Sequence, residues 1–486
     1  MLLKLLSAAV KGGAEMIYKG YEAVIGLEVH CELKTESKIF CACSTAYGGE
    51  PNSHTCPVCT GMPGALPALN RRVVEYAVTA GLALGCEVNL HSTHDRKNYF
   101  YPDLPKGYQI SQYGIPICQN GHLDITDPEG KSLRVGIERL HIEEDAGKLI
   151  HRDDVTLIDF NRAGVPLIEI VSNPDMHTSE EVKAYLGKLR AILLYTGVSD
   201  CKMNEGSMRA DINVSVRKVG DTSLYTRTEI KNLNSVNHAG RAVEYEFRRQ
   251  VDAILAGEEI TRETRRYDEN TGRTYSMRNK EGLRDYRFFT ESDLPPLTVS
   301  DEFVSSLRAA LPELPDSKAE RYCREYSLSS DDAALITEDP AAAEYYEMAS
   351  EKAKNKKLLT NLFIGEVLPK FGEEGMLTPE YLSEISDLAD AGEINNGTAK
   401  LLISRCVSEK LSPKELVVRD DLGMIRDRDR IRCLLEAAAE QMPKALEDYR
   451  HGKTAALKSI VGRAMAMSKG RADPVILNEE AEKIQS

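Results

Sequence analysis

The rhythm of hydrophobic and polar positions changes partway along this chain. From Val24 to Leu33 the two kinds alternate, with Leu27, Val29 and Leu33 on one face of an extended strand and Glu28, His30 and Glu32 on the other. One face packs, and the other is acidic with one imidazole. Between Asn70 and Gly85, Val74, Ala77, Val78, Gly81 and Leu82 recur at helical spacing, predicting an amphipathic helix laid on a sheet. The stretch Asp95–Gln112 holds two prolines and a Lys-Gly pair, which rules out one long regular element. Period two returns in Arg139–Lys148, which runs into the consecutive carboxylates Glu143, Glu144 and Asp145, and in Asp211–Val216. Glu169 stands alone in the apolar run Val165–Val171, where an ionised carboxylate is costly unless paired or bound to a metal. Glu229 and Lys231 share one face of Thr228–Asn232. Several separated strands thus turn carboxylates or amides to one side, predicting a sheet with a hydrophilic concave face. After Pro295-Pro296-Leu297 the pattern becomes helical, with Ala342–Ala353, Lys356–Phe371 and Pro379–Ala391 expected as helices of an all-α bundle. A last module is expected from Glu409, where Ser412-Pro413-Lys414-Glu415 reads as a helix start.

Length and composition narrow this picture. At 486 residues the chain exceeds one ordinary core, so two to four domains are expected. Its 42% hydrophobic and 28% charged residues describe a soluble globular protein. A net charge of −14 excludes a protein that coats nucleic acid indiscriminately, although a local basic surface remains compatible with it. Such a surface is present at the end, where Arg450, Lys453, Lys458, Lys469 and Arg471 fall within one short stretch. The apolar opening, Met1 to Val10, is broken by Lys4 and followed by Lys11, and with Met16 directly before the first strand-like segment it reads as an unstructured leader over residues 1–16, or as translation from an upstream start codon, rather than an export signal. No segment has the apolar length of a membrane span. Eleven scattered cysteines fit a reducing cytoplasm better than a disulfide framework.

Four of those cysteines form a pattern. Cys41-Ala42-Cys43, twelve residues, then Cys56-Pro57-Val58-Cys59 provide two tight thiol pairs that can close a tetrahedron around Zn²⁺. With no open position the role is structural, and His54 is a bystander or a substitute ligand. A redox role for Cys56 and Cys59 alone leaves Cys41 and Cys43 without purpose. The acidic face calls for a different ion, because hard oxygen ligands with at most one imidazole favour Mg²⁺, the usual companion of ATP. The chain has no P-loop, dinucleotide fingerprint or nucleophile elbow, so ATP would bind through another frame. For the tyrosine-rich loop Asp95–Gln112 two readings stand. It is a surface loop packed by its own rings, or a binding loop with Arg96 and Lys97 for phosphate and aromatics for a stacked base.

With these residues assembled, the chain resembles the B subunits of the aspartyl/glutamyl-tRNA amidotransferases. The likeness rests on Ile25–His30, Asp95–Asp103, His141–Lys148, Pro166–Ser172, Tyr195–Asp200, Glu229–Ser235 and Glu263–Tyr267, and runs from about Tyr21 to the C-terminus. The cysteine set occurs in only part of that family. The resemblance implies an α+β fold: a leader over 1–16, a mainly β cradle-like catalytic domain with flanking helices and the zinc knuckle over 17–297, a helical domain over 298–408, and a tRNA-contacting all-α tail over 409–486. It implies a protein that phosphorylates the side-chain carboxylate of glutamate or aspartate on misacylated tRNA with ATP, after which ammonia displaces phosphate. Ammonia would come from a glutaminase (amidase) A subunit, with a small C subunit completing a heterotrimer. By motif match, Glu28, His30, Glu144 and Glu229 surround Mg²⁺, with Glu143, Glu169 and Asp211 as further or alternative ligands. Lys231, Arg96 and Lys97 are the phosphate candidates, and the basic tail residues contact the tRNA backbone. Two other readings compete: a zinc-stapled RNA-binding scaffold whose carboxylates only solvate a cavity, and a Mg²⁺-dependent kinase for a small metabolite, which leaves the basic tail unexplained.

Overall fold

The computed structural model describes residues 16–277, 286–451 and 453–485. The expected leader lies, apart from Met16, outside the described residues. The chain divides into two compact units, up to Leu314 and from Pro315 onward.

The first unit is built on a ten-stranded sheet. Its axis is β1 (Tyr21–Glu32), the alternating stretch, with Leu27, Val29 and Cys31 buried and Glu28, His30 and Glu32 only partly so. Two of the strands described here precede the site strands: β2 (Asp95–Asn98) and β3 (Tyr108–Ser111), which pair antiparallel in a small separate sheet. The main sheet continues with β4 (Cys118–Thr126), β5 (Ser132–Glu144), β6 (Pro166–Ser172), β7 (Met208–Lys218), β8 (Thr228–Lys231), β9 (Thr264–Asp268) and β10 (Arg273–Ser276). Across the sheet the order is β10, β9, β8, β7, β1, β6, β5, β4, with Glu87–Val88 at the edge and Ile17–Tyr18 beside β1. These contacts are antiparallel except β8 with β9. A strand β11 (Phe289–Thr290) adds to the small sheet on the outer side of β2.

Three helices cover one face of the large sheet. They are α1 (Arg71–Ala83), α2 (Ser179–Tyr195) and α3 (Val236–Leu255). The expected helical spacing is realised in α1, where Val74, Ala77, Val78, Gly81 and Leu82 are buried. Asn70 caps its start by accepting from Arg72 N at 2.9 Å, a contact worth about 1 kcal/mol. Thr178 and Glu181 close a reciprocal capping box on α2. Tyr185, Leu189, Val243 and Phe247 from α2 and α3 join Ile25, Leu27 and Val29 in one core. Helices on one face leave the opposite, polar face of β1 uncovered by them.

The change of pattern at Leu297 does not mark the end of this unit. The helix Asp301–Ala309 packs Phe303, Val304 and Leu307 on the same core, so the compact unit runs on to Leu314.

The second unit is helical, with Pro340–Lys352, Lys356–Leu362 and Pro379–Asp390 near the expected positions. The helix ending at Leu362 continues as a π turn, Phe363–Val367. Ser412 and Glu415 form the capping box of Pro413–Arg419. Beyond it, Ile431, Leu435, Ile460, Ala464 and Leu477 make a small core of their own. Among the described residues no helix is long and apolar enough to cross a membrane.

Candidate functional site

Strand pairing places the polar side chains in rows. Glu169 of β6 lies opposite His30 of β1 on one side and His141 of β5 on the other, and Arg209 of β7 faces His30 from the far side. One step along, Glu28 is opposite Asp211. Directly opposite residues share a face, so four strands send charge to one surface. His30 Nε2 lies 3.3 Å from Glu169 Oε2 and 3.4 Å from Glu143 Oε1, while His141 Nε2 approaches Glu169 Oε2 to 3.2 Å. Burial works against the charge on His30, but the hydrogen bond to Glu169 and the charges of Glu143 and Glu169 raise its pKa to about 9. Burial also raises Glu143, with Glu169 adding repulsion. The two imidazoles hold Glu169 far below the usual carboxylate range despite its burial.

A divalent ion suits this arrangement. One ligand atom each from His30, Glu143 and Glu169 lies within 4.8 Å of the others. Neighbouring corners of a Mg²⁺ octahedron are about 3.0 Å apart, given bonds of about 2.1 Å, and the separations of 3.3 and 3.4 Å from His30 are near that.

A second acidic group adjoins the first. Glu28 accepts from Asn213 Nδ2 at 2.9 Å, and burial, then Glu169, Glu229 and Asp211, raise its pKa. Lys231 sits 2.5 Å from Asp211 and 3.1 Å from Glu229, so an ammonium already neutralises this pair. Burial opposes the Lys231 charge, but those two carboxylates push its pKa up. Further out, Arg209 reaches Asp145 at 2.7 Å. Burial and the Asp145 charge raise Glu32 to about 7. His30, Glu32, Glu143, Asp145, Arg209, Asp211 and Lys231 border a cavity of about 830 Å³, with Lys97 and Gln109 of the small sheet and the adjoining Tyr99 on its wall. Among the described residues Lys97 makes no ion pair or hydrogen bond, and its charge acts on Glu143.

Two expected placements do not hold. Glu144 is not with Glu28, His30 and Glu229. It follows Glu143 directly on β5 and so points to the other face, where Lys106 Nζ bonds both its oxygens at 2.6 Å and Ile110 N donates at 2.9 Å. There it borders a separate cavity of about 250 Å³. Arg96 is committed elsewhere too. Its Nε and Nη2 each bond Glu291 at 2.7 Å, and Nη2 reaches Asp293 at 3.1 Å, because the fully buried Glu291 side chain needs a cation. His141, Arg209, Asp145 and Asn213 were not among the expected site residues.

The four knuckle cysteines converge. Their sulfurs lie within 4.8 Å of one another, with Cys56 and Cys59 at 4.0 Å. Sulfurs at the corners of a zinc tetrahedron with bonds of about 2.3 Å are about 3.8 Å apart, so the set could hold one ion. Cys59 is drawn down to about 4 by Cys41, by the Cys56 backbone N–H and by the nearby Lys38 ammonium, against its burial. Lys38 is wholly buried and donates to His54 O at 2.7 Å, Phe160 O at 3.3 Å and Cys59 Sγ at 3.6 Å. Gly61 closes the knuckle in left-handed backbone (φ 69°), and a Cβ there would lie 2.6 Å from Lys106 Cγ.

In the second unit, Arg450, Lys458 and Lys469 are exposed and make no ion pair among the described residues. Lys453 is held by Asp448 at 2.8 Å. Arg471 is turned inward, donating to Asp421 O and, at 3.3 Å, to Ser468 O.

Comparison with known proteins agrees over most of the chain. Residues 23–305 match the family described as the GatB/GatE catalytic domain, and residues 344–484 the family described as the GatB domain. The chain is 49% identical over 479 residues to the B subunit of the aspartyl/glutamyl-tRNA(Asn/Gln) amidotransferase from Caldicellulosiruptor saccharolyticus, covering 96% of this chain and 100% of that protein. It is 49% identical over 466 residues to the protein of the same name from Thermoanaerobacter pseudethanolicus, covering 94% and 98%. With that of Clostridium tetani it shares 46% over 474 residues, covering 96% and 99%.

Proposed function

The chain belongs to the family of aspartyl/glutamyl-tRNA(Asn/Gln) amidotransferase B subunits, and from that premise we propose that its acidic cavity carries out both chemical steps of tRNA-dependent amidation. A carboxylate is a poor electrophile, so the glutamate or aspartate side chain on the tRNA must first be activated. Its oxygen attacks the γ-phosphorus of ATP and ADP leaves. Ammonia then attacks the acyl carbon and inorganic phosphate leaves, giving Gln-tRNA(Gln) or Asn-tRNA(Asn). The observation that carries this reading is the cluster of His30, Glu143 and Glu169, of which His30 and Glu143 line a large cavity that the Lys97 ammonium, free of ion pairs among the described residues, also lines.

These three residues would hold Mg²⁺, with Glu28, Asp211 and Glu229 as the adjoining acidic group. Bound there, Mg²⁺ supplies neutralisation of the charge that builds on the transferring phosphoryl group. Lys97 and Lys231 place ammonium groups in the same cavity and orient phosphate oxygens by charge-assisted hydrogen bonds. Ammonia comes from a glutaminase A subunit, with a small C subunit completing the complex, because this chain carries no glutaminase motif. The cysteine knuckle holds a structural Zn²⁺. Arg450, Lys458 and Lys469 contact the tRNA backbone.

The test is reconstitution. With ATP, Mg²⁺ and misacylated tRNA, the lone chain should form amide from ammonium salts but not from glutamine, and the glutaminase partner should restore glutamine dependence. Efficient glutamine-driven amidation by the lone chain overturns the division of labour. In the same assay, reversing Arg450, Lys458 and Lys469 to glutamate should raise KM for tRNA. It should also flatten the log–log salt dependence of binding by roughly 2 to 3, at about 0.9 per phosphate contact. An unchanged salt slope removes the tail from the interface.

A further inference from the structure

The small sheet is a wall with two different faces. Arg96 and Phe289 are directly opposed across β2 and β11 and share one face with Tyr108, over which the Arg96 guanidinium lies at 4.2 Å. Lys97 and Gln109 are opposed on the other face, toward the reaction cavity. On that side the rings form a continuous row. Lys97 Nζ lies 5.1 Å from the Tyr286 ring, which meets Tyr99 edge-on at 6.1 Å and Phe288 edge-on at 5.9 Å. Phe288 and Tyr113 then stack face to face, 4.1 Å apart at an interplanar angle of 11°. The inner end, Tyr99, lines the cavity. The outer end, Tyr113, is 59% exposed.

We propose that this row, Tyr99, Tyr286, Phe288 and Tyr113, is the stacking platform for the single-stranded 3′ end of the RNA substrate, leading its aminoacyl group into the cavity. The inference rests on the functional reading above and assigns residues to a step that reading leaves open. Aromatic rings that serve only to pack a wall are normally buried, yet here Tyr99, Tyr286 and Phe288 are only half-buried and the row ends in a flat stacked pair whose outer ring, Tyr113, is exposed. The pair is also held in place beforehand. Asp95 Oδ2 accepts from Tyr113 N at 2.9 Å and Gly114 N at 2.8 Å, and Arg139 donates to Tyr113 O at 3.1 Å. The buried Arg139 Nε keeps no partner among the described residues. Flat rings and nearby cations bind unpaired nucleotides without reading their sequence, because every base has a π face and every linkage a negative charge. A paired stem offers no such faces. A row running from solvent to the cavity wall, with the unpaired Lys97 ammonium at its inner end, fits a strand that must deliver its terminus inside.

The assembled enzyme tests this with two RNAs, misacylated or deacylated tRNA with its single-stranded 3′ end intact and the same tRNA with that end removed. Wild type should bind the intact form more tightly. The double variant Tyr113→Ala/Phe288→Ala should weaken the intact tRNA about tenfold or more, leave the truncated tRNA unchanged and leave KM for ATP unchanged. Tyr113→Phe keeps the ring and should bind like wild type, which separates lost stacking from a damaged wall. The platform is overturned if both RNAs weaken equally, if neither does, or if KM for ATP rises while the intact tRNA is unaffected, which would assign the rings to adenine. If wild type does not amidate at all, the functional reading fails instead, and the dependence of binding on the 3′ end still decides the platform.

Discussion

Glu169→Gln should lower tRNA-dependent ATP cleavage by about 10²- to 10³-fold, the range seen when one preorganised charge contact to a transition state is removed. Glutamine keeps the shape of the side chain and the strand pairing of β6, so the loss would report charge rather than folding. Two further readouts separate this from a general weakening. Mn²⁺ used as a probe ion should bind more weakly, because one of three ligand groups loses its charge. The imidazole of His30 should also titrate lower than its value of about 9, since its hydrogen bond to Glu169 is the largest influence raising it against burial and the charge of Glu169 adds to that of Glu143. In the metal-free enzyme the His30 proton is therefore retained through neutral pH in wild type and released at lower pH in the variant. Glu144→Gln is the contrast, because that carboxylate is occupied by Lys106 on the other face and Mn²⁺ affinity should stay where it was. Equal Mn²⁺ affinity for wild type and Glu169→Gln would rule out this cluster as the ion site.

Cys59→Ser should abolish stoichiometric zinc and lower the thermal transition of the first unit by about 6–20 °C. The reason is the residue behind the knuckle. Lys38 is wholly buried, and its ammonium is balanced by the Cys59 sulfur together with two carbonyls. Removing one partner of a buried charge costs about 3–5 kcal/mol, and a unit of this size loses about 2–4 °C per kcal/mol. Lys38 also ties the knuckle to Phe160, so losing the ion should loosen both segments. Mn²⁺ binding at His30, Glu143 and Glu169 should survive, since none of these touches the cysteines. Elemental analysis and a melting curve decide it: retained zinc with an unchanged transition removes the knuckle from the stability of this unit.

Much of the polar face was legible before the fold. Alternation in Val24–Leu33 and Asp211–Val216 is a backbone property, so Glu28, His30 and Asp211 could be assigned to one side without knowing their neighbours. The same logic, carried back from the end of β5, would have separated Glu143 from Glu144. Leu140 and Ile142 are apolar and share a side with Glu144, which leaves Arg139, His141 and Glu143 on the polar face. His141 and Arg209 were likewise marked by lying two residues from Glu143 and Asp211. What local pattern could not convey was pairing between distant segments. Arg96 finds Glu291 and Asp293 almost two hundred residues later, and nothing near Arg96 signals that commitment. The end of the first unit was obscured for a related reason. The helix at Asp301 resembles those that follow it, yet its apolar side chains pack on the earlier core.

The long pairing of β1 limits how the chain can vary in length. Tyr21 to Cys31 is matched residue by residue with β7, and Glu28 to Glu32 with β6. Inserting or deleting one residue in the middle of that segment would exchange what lies on its two sides, driving the imidazole among the helices and leucines into the water. Relatives should therefore differ in length at the turns joining the strands and keep the same count within this one, however far their side chains diverge.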